Sequence, residues 1–425
     1  MKNNVKIVDF MSLFIDNHLN LFSFYVIINL CIICPFHLFG YTPIQRLFRF
    51  IYAIWTIYLV VSDLLRKRLK FDGITITMAM FFVWACISYL FQPRAHGIVQ
   101  LTYLFTLLMM MALFFQMSRY YSKLDFQNYL TFIGKVVIYS VMVLNSLSII
   151  YFMISGKVDL PQSIASLFNM SAGIYHHKVL GGEKCFLAMC FCYYLYKKKE
   201  LSIYTVIITV LTSFVILYIG RPRTNYVQIA IVLFYFLYLM MKKYLGKLKA
   251  NKVFNVIVAI ILVLGIAVLG YMLTGHTING KTLNEISTGR SNMWRDVFVV
   301  SLERPVLGWG WGNGEPMGDW VGVGFVENCH NMFLNVLLWT GFPGLLMFCG
   351  MVVLCILKIR RNKSLIESSG YTWFIVVTFA IFVQAMLDPL VIGEDTRLGS
   401  PFFWLFAGML YYLDQTKECD NTSIS

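Results

Sequence analysis

Residues 330–361 read HNMFLNVLLWTGFPGLLMFCGMVVLCILKIRR, and this stretch decides the fold class. No Asp, Glu, Lys or Arg interrupts it from Met332 to Leu357, and it closes on Lys358, Arg360 and Arg361. A bilayer crossing takes about 20 mostly apolar residues. A basic cluster directly after such a run marks its cytoplasmic end. Gly341, Pro343 and Gly344 fall inside the run and predict a kink or break, which a membrane helix tolerates when neighbours satisfy the freed backbone.

The pattern repeats outward from there. The chain has 425 residues, 59% hydrophobic and 13% charged. Soluble domains carry about a quarter charged residues, so this composition excludes an ordinary soluble enzyme, a disordered chain and a disulfide-stapled secreted scaffold. Candidate spans fall at roughly 20–39, 47–65, 73–92, 98–117, 129–153, 181–196, 201–219, 224–242, 253–273, 330–357, 371–391 and 400–413. The expected fold is therefore an all-α polytopic membrane protein with about 12 transmembrane helices, a single transmembrane domain over 1–425.

Charge placement orients it. Arg66, Lys67, Arg68 and Lys70 follow span 2, and Arg119 and Lys123 follow span 4. Lys197 to Lys199 follow span 6, Lys242, Lys243, Lys247, Lys249 and Lys252 follow span 8, and Lys358 to Lys363 follow span 10. Most of the 35 Lys and Arg thus gather on one side, which puts both termini in the cytoplasm. The net charge of +14 is a topology signal, and nucleic acid is not expected as a partner. No cleavable signal peptide is expected, because the first residues are polar and mixed and span 1 leads into another span. The ten cysteines fall mostly inside spans. Cys31 and Cys34, a CxxC without a second pair, read as helix packing and not as a metal or redox site.

Two outer loops are long, 154–180 and 274–329. In the second, a helix is expected from near Gly289, with Ser287 or Thr288 as its cap. Trp294, Phe298 and Leu302 form one apolar stripe along it, the pattern of a helix lying on the membrane surface. Three outer sites carry polar chemistry. Arg221 and Arg223 lie between spans 7 and 8, where positive charge opposes the orientation rule. They are either a snorkelling pair or an anion clamp, since guanidinium forks grip phosphate. Arg290 opens the surface helix, and is either a solvated arginine or a second phosphate contact. His330 stands where the loop meets span 10, and is either a cap or a base. Lys135 and Asp388 are the charges expected inside spans.

Taken together these residues carry a resemblance. Gly289-Arg290-Ser291-Asn292-Met293-Trp294, then Arg304-Pro305-Val306-Leu307-Gly308-Trp309-Gly310, then His330-Asn331-Met332-Phe333-Leu334 with Gly341 and Gly344, resemble the bacterial O-antigen ligase and Wzy-like polysaccharide polymerase superfamily. Upstream, Arg223-Thr224-Asn225-Tyr226 resembles that family's arginine at the mouth of a span. Gly220-Arg221-Pro222 departs from the usual serine context, so Arg221 competes with Arg223 for the role, and Arg223 is favoured. Gly173 to Lys178 resembles a short family segment ending in His-Lys, with Val179 where an asparagine often follows.

The resemblance implies a GT-C-like membrane glycosyltransferase, inverting and independent of metal or other cofactor. Its donor would be an undecaprenyl-diphosphate-linked oligosaccharide on the outer face of the bacterial cytoplasmic membrane, and its acceptor a glycan. A flippase and a chain-length regulator are the implied protein partners. The implied catalytic residues are His330, Arg290, Arg223 and Glu327. The implied substrate-binding residues are Arg221, Lys178, His177, Trp294, Trp309 and Asn331, with Trp311 and Trp320 as further sugar platforms. The implied surface products are O-antigen, capsule or exopolysaccharide. A polymerase is expected ahead of a ligase because polymerases occur across more kinds of bacteria. A transporter or flippase, with its site near the midplane, is the rival from another class.

Overall fold

The computed structural model describes residues 18–33, 42–67, 71–93, 98–120, 125–155, 178–246, 252–257, 259–260, 263, 289–312, 329–388 and 398–413. All regular structure among them is helical. The elements are α1 (His18–Ile28, continued by a π turn Asn29–Ile33), α2 (Thr42–Leu65), α3 (Gly73–Leu90), α4 (Ile98–Tyr120) and α5 (Asp125–Ser155). Next come α6 (Lys178–Lys197), α7 (Ile203–Gly220), α8 (Arg223–Leu245) and α9 (Arg290–Glu303). The last are α10 (Met332–Arg361), α11 (Lys363–Ser368), α12 (Thr372–Ala385) and α13 (Gly399–Tyr412).

Five helices, α3, α5, α7, α8 and α10, are long and apolar enough to cross a membrane, and shorter apolar segments lie in α1, α2, α4 and α12. These make the chain a multi-pass membrane protein. Residues 252–257 of the ninth expected span are helical; most of that span and most of the loops at 154–180 and 274–329 lie outside the described residues.

Many large apolar side chains on α2, α7, α8 and α10 face outward, among them Ile54, Leu211, Leu233 and Leu346. That is the surface expected of helices solvated by lipid, where outward apolar groups incur no penalty. The interior is closed by aromatic pairs, such as Phe22 on Phe402 and Phe114 on Trp404.

Buried charge differs from expectation. Lys135 is not held within the helix bundle: its Nζ meets Glu200 Oε2 at 2.9 Å near the end of α6, with 37% of the lysine side chain exposed. The Lys135 hydrogen bond and charge hold the Glu200 carboxyl below its ordinary range. The charges that are truly enclosed include Glu183 and Lys184, 1% and 2% exposed on α6. Glu183 accepts from the backbone amide of Gly399, the first residue of α13. Asp63 is also buried, and accepts from Gln116.

The expected break in α10 is real and sharp. Gly341 has φ 67° and ψ −171°, a backbone state essentially reserved for glycine. The ring of Phe333 lies 5.7 Å from that of Phe348, whereas in a straight helix their α-carbons would be about 22 Å apart. The segment is therefore two arms folded toward each other. Met332–Thr340 is a short half-helix, and Phe342–Arg361 is a crossing of about 30 Å.

Breaking a helix in apolar surroundings strands carbonyls, each costing several kcal/mol if left unmet. Residues 305–310 meet them. Trp309 N donates to Leu338 O at 2.8 Å and Gly310 N to Trp339 O at 3.1 Å. Trp84 Nε1 donates to Thr340 O at 2.9 Å, and Phe342 N returns a bond to Pro305 O at 2.7 Å. Ser88 bridges Leu307 O and Trp339 O. A Cβ on Gly308 would stand 2.5 Å from Thr340 N, and one on Gly341 2.4 Å from Val306 O. Two glycines are needed because two backbones touch.

Candidate functional site

His330 sits at the mouth of the half-helix, in the left-handed region at φ 52°. It is not the cap. Asn331 is, accepting from Leu334 N at 3.1 Å through Oδ1 and donating from Nδ2 to Met386 O at 3.1 Å. Asn331 therefore anchors the half-helix to the end of α12 and leaves the imidazole of His330 to other work. Its Nδ1 lies 3.2 Å from Asp388 Oδ1. The histidine side chain is 40% exposed and the aspartate 3%. A buried carboxylate bonded to one ring nitrogen fixes the tautomer and orientation of the ring. Gln384, one turn below Asp388, is fully buried, and its amide makes no hydrogen bond among the described residues.

The surface helix is bolted to this mouth. Trp294 Nε1 donates to Cys329 O at 2.9 Å. Val297, Val300 and Ser301 face the protein, while Phe298 and Leu302 are 44% and 48% exposed. The expected stripe is thus split: Trp294 turns inward and the other two look out toward lipid. The helix begins at Arg290 with Gly289 as its cap residue, and no side chain caps it; Ser287 and Thr288 lie outside the described residues. Arg290 is four residues before Trp294 and so shares its face, one turn from the residue preceding His330. Cys329 itself is buried, donates from Sγ to Asn335 Oδ1 at 2.8 Å, and burial pushes its thiol up to about 12.

Helix register brings the other arginines to the same end. A Cβ at Gly182 would meet Asn225 and Pro222, while Tyr193 packs on Phe236, so α6 and α8 run parallel. α12 runs the other way, with Trp373 Nε1 donating to Cys190 O at 3.1 Å near its start. From that level Asp388 lies roughly 22 Å along the axis and Arg223 roughly 15 Å, within about 7 Å of each other in height. Arg221 and Arg223 are both exposed. Arg221 holds φ 46° and closes α7 by donating its amide to Leu217 O. Arg223 opens α8, with Thr224 and Asn225 buried behind it. Lys178 opens α6 at this end. His177, Glu327 and Trp320 lie outside the described residues.

Burial separates the tryptophans of the 304–312 turn. Trp311 is fully buried, edge-on to Phe81 and Trp339, and is no sugar platform. Trp309 is half-buried, donates from Nε1 to Val300 O at 3.0 Å, and has the Arg304 guanidinium 5.7 Å from its ring centre. The residue that sequence reasoning under-used is Asp388. Its signal was a carboxylate inside a span, but its partner lies 58 positions away.

The chain thus carries a sharp turn with glycines at 308, 310 and 341, a histidine backed by a buried aspartate, and arginines at or beside helix starts. Residues 207–349 match the O-antigen ligase family. The match runs from α7 through the break in α10, and so contains Arg221, Arg223, Arg290 and His330. It supports the O-antigen ligase and Wzy-like superfamily, and at family level a membrane glycosyltransferase-like ligase or polymerase function acting on lipid-linked glycan. The search of curated proteins finds no match.

Proposed function

We propose that the chain is a polymerase of a bacterial surface polysaccharide at the outer face of the cytoplasmic membrane. It would transfer glycan from undecaprenyl diphosphate to an acceptor repeat unit. The observation that carries this is the half-exposed His330 backed by the buried Asp388, to which helix register adds Arg221 and Arg223 at a similar height and the Trp294–Cys329 bond adds the helix of Arg290. With Asp388 accepting from Nδ1–H, the lone pair of Nε2 takes the proton of the acceptor hydroxyl. The hydroxyl oxygen attacks the anomeric carbon, the carbon–oxygen bond to the diphosphate breaks on the opposite face, and configuration inverts. Arg223 and Arg290, with Arg221 in support, meet the charge growing on the leaving diphosphate. The starts of α6, α8 and α9 add amide dipoles favourable to an anion. Glu327 is the alternative base, and Lys178 and His177 are further contacts to donor.

The residues present fit a metal-independent route, because guanidinium groups can neutralise diphosphate as a divalent cation does. The proposed topology has about 12 spans in one membrane domain, with both termini cytoplasmic. A flippase and a chain-length regulator are its proposed partners.

The description of the matched family favours one second reading, a ligase passing finished glycan to a lipid core. Glycan analysis of a deletion strain tests both. Single repeat units on the acceptor support the polymerase. Long polymer retained on undecaprenyl diphosphate supports the ligase. Unchanged glycan overturns both.

A further inference from the structure

The second arm of α10, with α12 and α13, lines an apolar groove of about 470 Å³ that opens at the end of the molecule away from His330. Phe348, Phe379, Phe382 and Ala407 are among its walls, and Arg360 and Lys363 stand at its rim. The walls are almost wholly apolar and come from α3, α10, α12 and α13, with Lys363 and Glu367 of α11 at the mouth, so the space is a groove between crossings and not a surface dent.

Three quantities define what fits. A cavity of about 150 Å³ takes up one benzene, so this volume suits roughly eighteen carbons, which is one acyl chain. Along α10 from Arg360 to Phe348 the groove runs about 18 Å, close to the roughly 15 Å depth of a single leaflet. At the rim, Arg360 and Lys363 are exposed, and neither pairs with an acid among the described residues. One carboxylate, Glu367, shares the rim, so its charge stays positive. Lys358, close by, leans over the Tyr411 ring at 5.6 Å and keeps that corner cationic. Basic pockets between transmembrane helices on the cytoplasmic side bind anionic headgroups.

We propose that this groove is a structural lipid site. It takes one acyl chain of an anionic phospholipid from the leaflet facing Arg360, with the phosphate held by Arg360 and Lys363. The site is separate from the proposed donor site, whose diphosphate belongs at the His330 end, roughly 20 Å from the Arg360 rim along the helix axes. The upper wall nonetheless touches that end, since Phe348 and Phe382 both pack on Phe333, three residues past His330. A filled groove therefore steadies the half-helix that carries the histidine.

The test uses the full chain in phosphatidylcholine nanodiscs doped with diazirine-tailed phosphatidylglycerol or diazirine-tailed phosphatidylcholine, with adducts mapped by peptide mass spectrometry. Adducts on peptides holding Val352, Ile356 and Phe379 should form from the anionic probe in at least about tenfold excess. Unlabelled phosphatidylglycerol should chase them. Arg360→Gln with Lys363→Gln, both at exposed positions, should erase the excess, and Ile356→Trp should remove the adducts by filling the groove. Equal labelling by the two probes, unchanged in the double variant, overturns the proposal. So does labelling chased by polyprenyl diphosphate but not by phosphatidylglycerol, which would make the groove the donor's tail site.

Discussion

Residues 304–312 and residues 329–331 lie at the two ends of the same half-helix, and they use their polar groups in opposite ways. At the Gly341 end, amides and carbonyls are spent on one another: Trp309 N on Leu338 O, Gly310 N on Trp339 O, Phe342 N on Pro305 O. Glycines allow the contact, and Trp311 is buried beneath it. At the His330 end the backbone is also satisfied, by Asn331 and Asn335. There, however, a titratable side chain stays 40% exposed with a buried carboxylate behind it. One end builds a break in the membrane helix, and the other uses that break to present chemistry. The backbone of the first end is architectural, and the side chains of the second are candidates for reaction.

The most damaging substitutions should separate the two ends by readout. His330→Ala and His330→Gln should cost about 10²–10⁴-fold in transfer, the typical loss of a general base, with normal protein level. His330→Asn is the sharper variant. Asparagine tolerates the left-handed backbone at φ 52° and can still donate to Asp388, yet it accepts no proton. It should fold like the parent and be inactive in an assay with lipid-diphosphate donor. Full activity would leave Glu327 as the base and break the contrast between the two ends.

Gly341→Ala attacks the other end. The added Cβ falls 2.4 Å from Val306 O in a conformation alanine avoids. Backbone strain and overpacking together should cost about 2–5 kcal/mol. The expected result is a lower melting temperature and reduced yield in detergent, with turnover per folded molecule near normal. A well-folded, inactive Gly341→Ala would mean that the break itself takes part in the reaction.

Next in size are the arginines. Arg223→Ala and Arg290→Ala should each lower the rate about 30- to 1,000-fold, or about 2–4 kcal/mol of transition-state stabilisation. Lysine should rescue each in part, because an ammonium lacks the planar fork. Comparing Arg221→Ala with Arg223→Ala in the same assay decides which is the stronger diphosphate contact. Wild-type glycan from a well-expressed Arg290→Ala strain would remove Arg290 from the site.

Much of this was legible in the residue order, because bilayer physics leaves few options. Long uncharged runs and Gly341-Phe342-Pro343-Gly344 predicted apolar helices and a break. What was not legible depends on partners far apart in sequence. His330 could be singled out, but the choice between cap and base turned on Asn331 taking the cap and Asp388 taking Nδ1. Glu183 and Lys184 were passed over inside the sixth span, although charge in a span is itself a signal. Their burial depends on α13, whose first amide donates to Glu183. The fully buried Trp311 read as a sugar platform, because glycine–aromatic spacing looks the same whether a ring such as Trp309 or Trp311 meets a ligand or a neighbouring helix.

That last ambiguity yields the smallest and most discriminating effect. Trp309 Nε1 donates to Val300 O at 3.0 Å and its ring lies by Arg304. Trp309→Phe keeps an aromatic face but loses the N–H. If the ring serves packing, the change removes one hydrogen bond between the loop and α9, worth about 1 kcal/mol net. A fall of about one degree in melting temperature would follow, with acceptor KM unchanged. Trp309→Leu should then cost more stability and still leave KM alone. If the ring instead stacks on sugar, Phe should be nearly silent in both readouts, and Leu should raise acceptor KM while stability moves less. Trp294→Phe is the matched control, because its N–H holds Cys329 O beside His330. A loosened Cys329 displaces the imidazole, so this variant should lose rate at constant KM. Should Trp309→Leu raise acceptor KM and Trp294→Phe leave the rate intact, the division of labour between the two ends of the half-helix would be reversed.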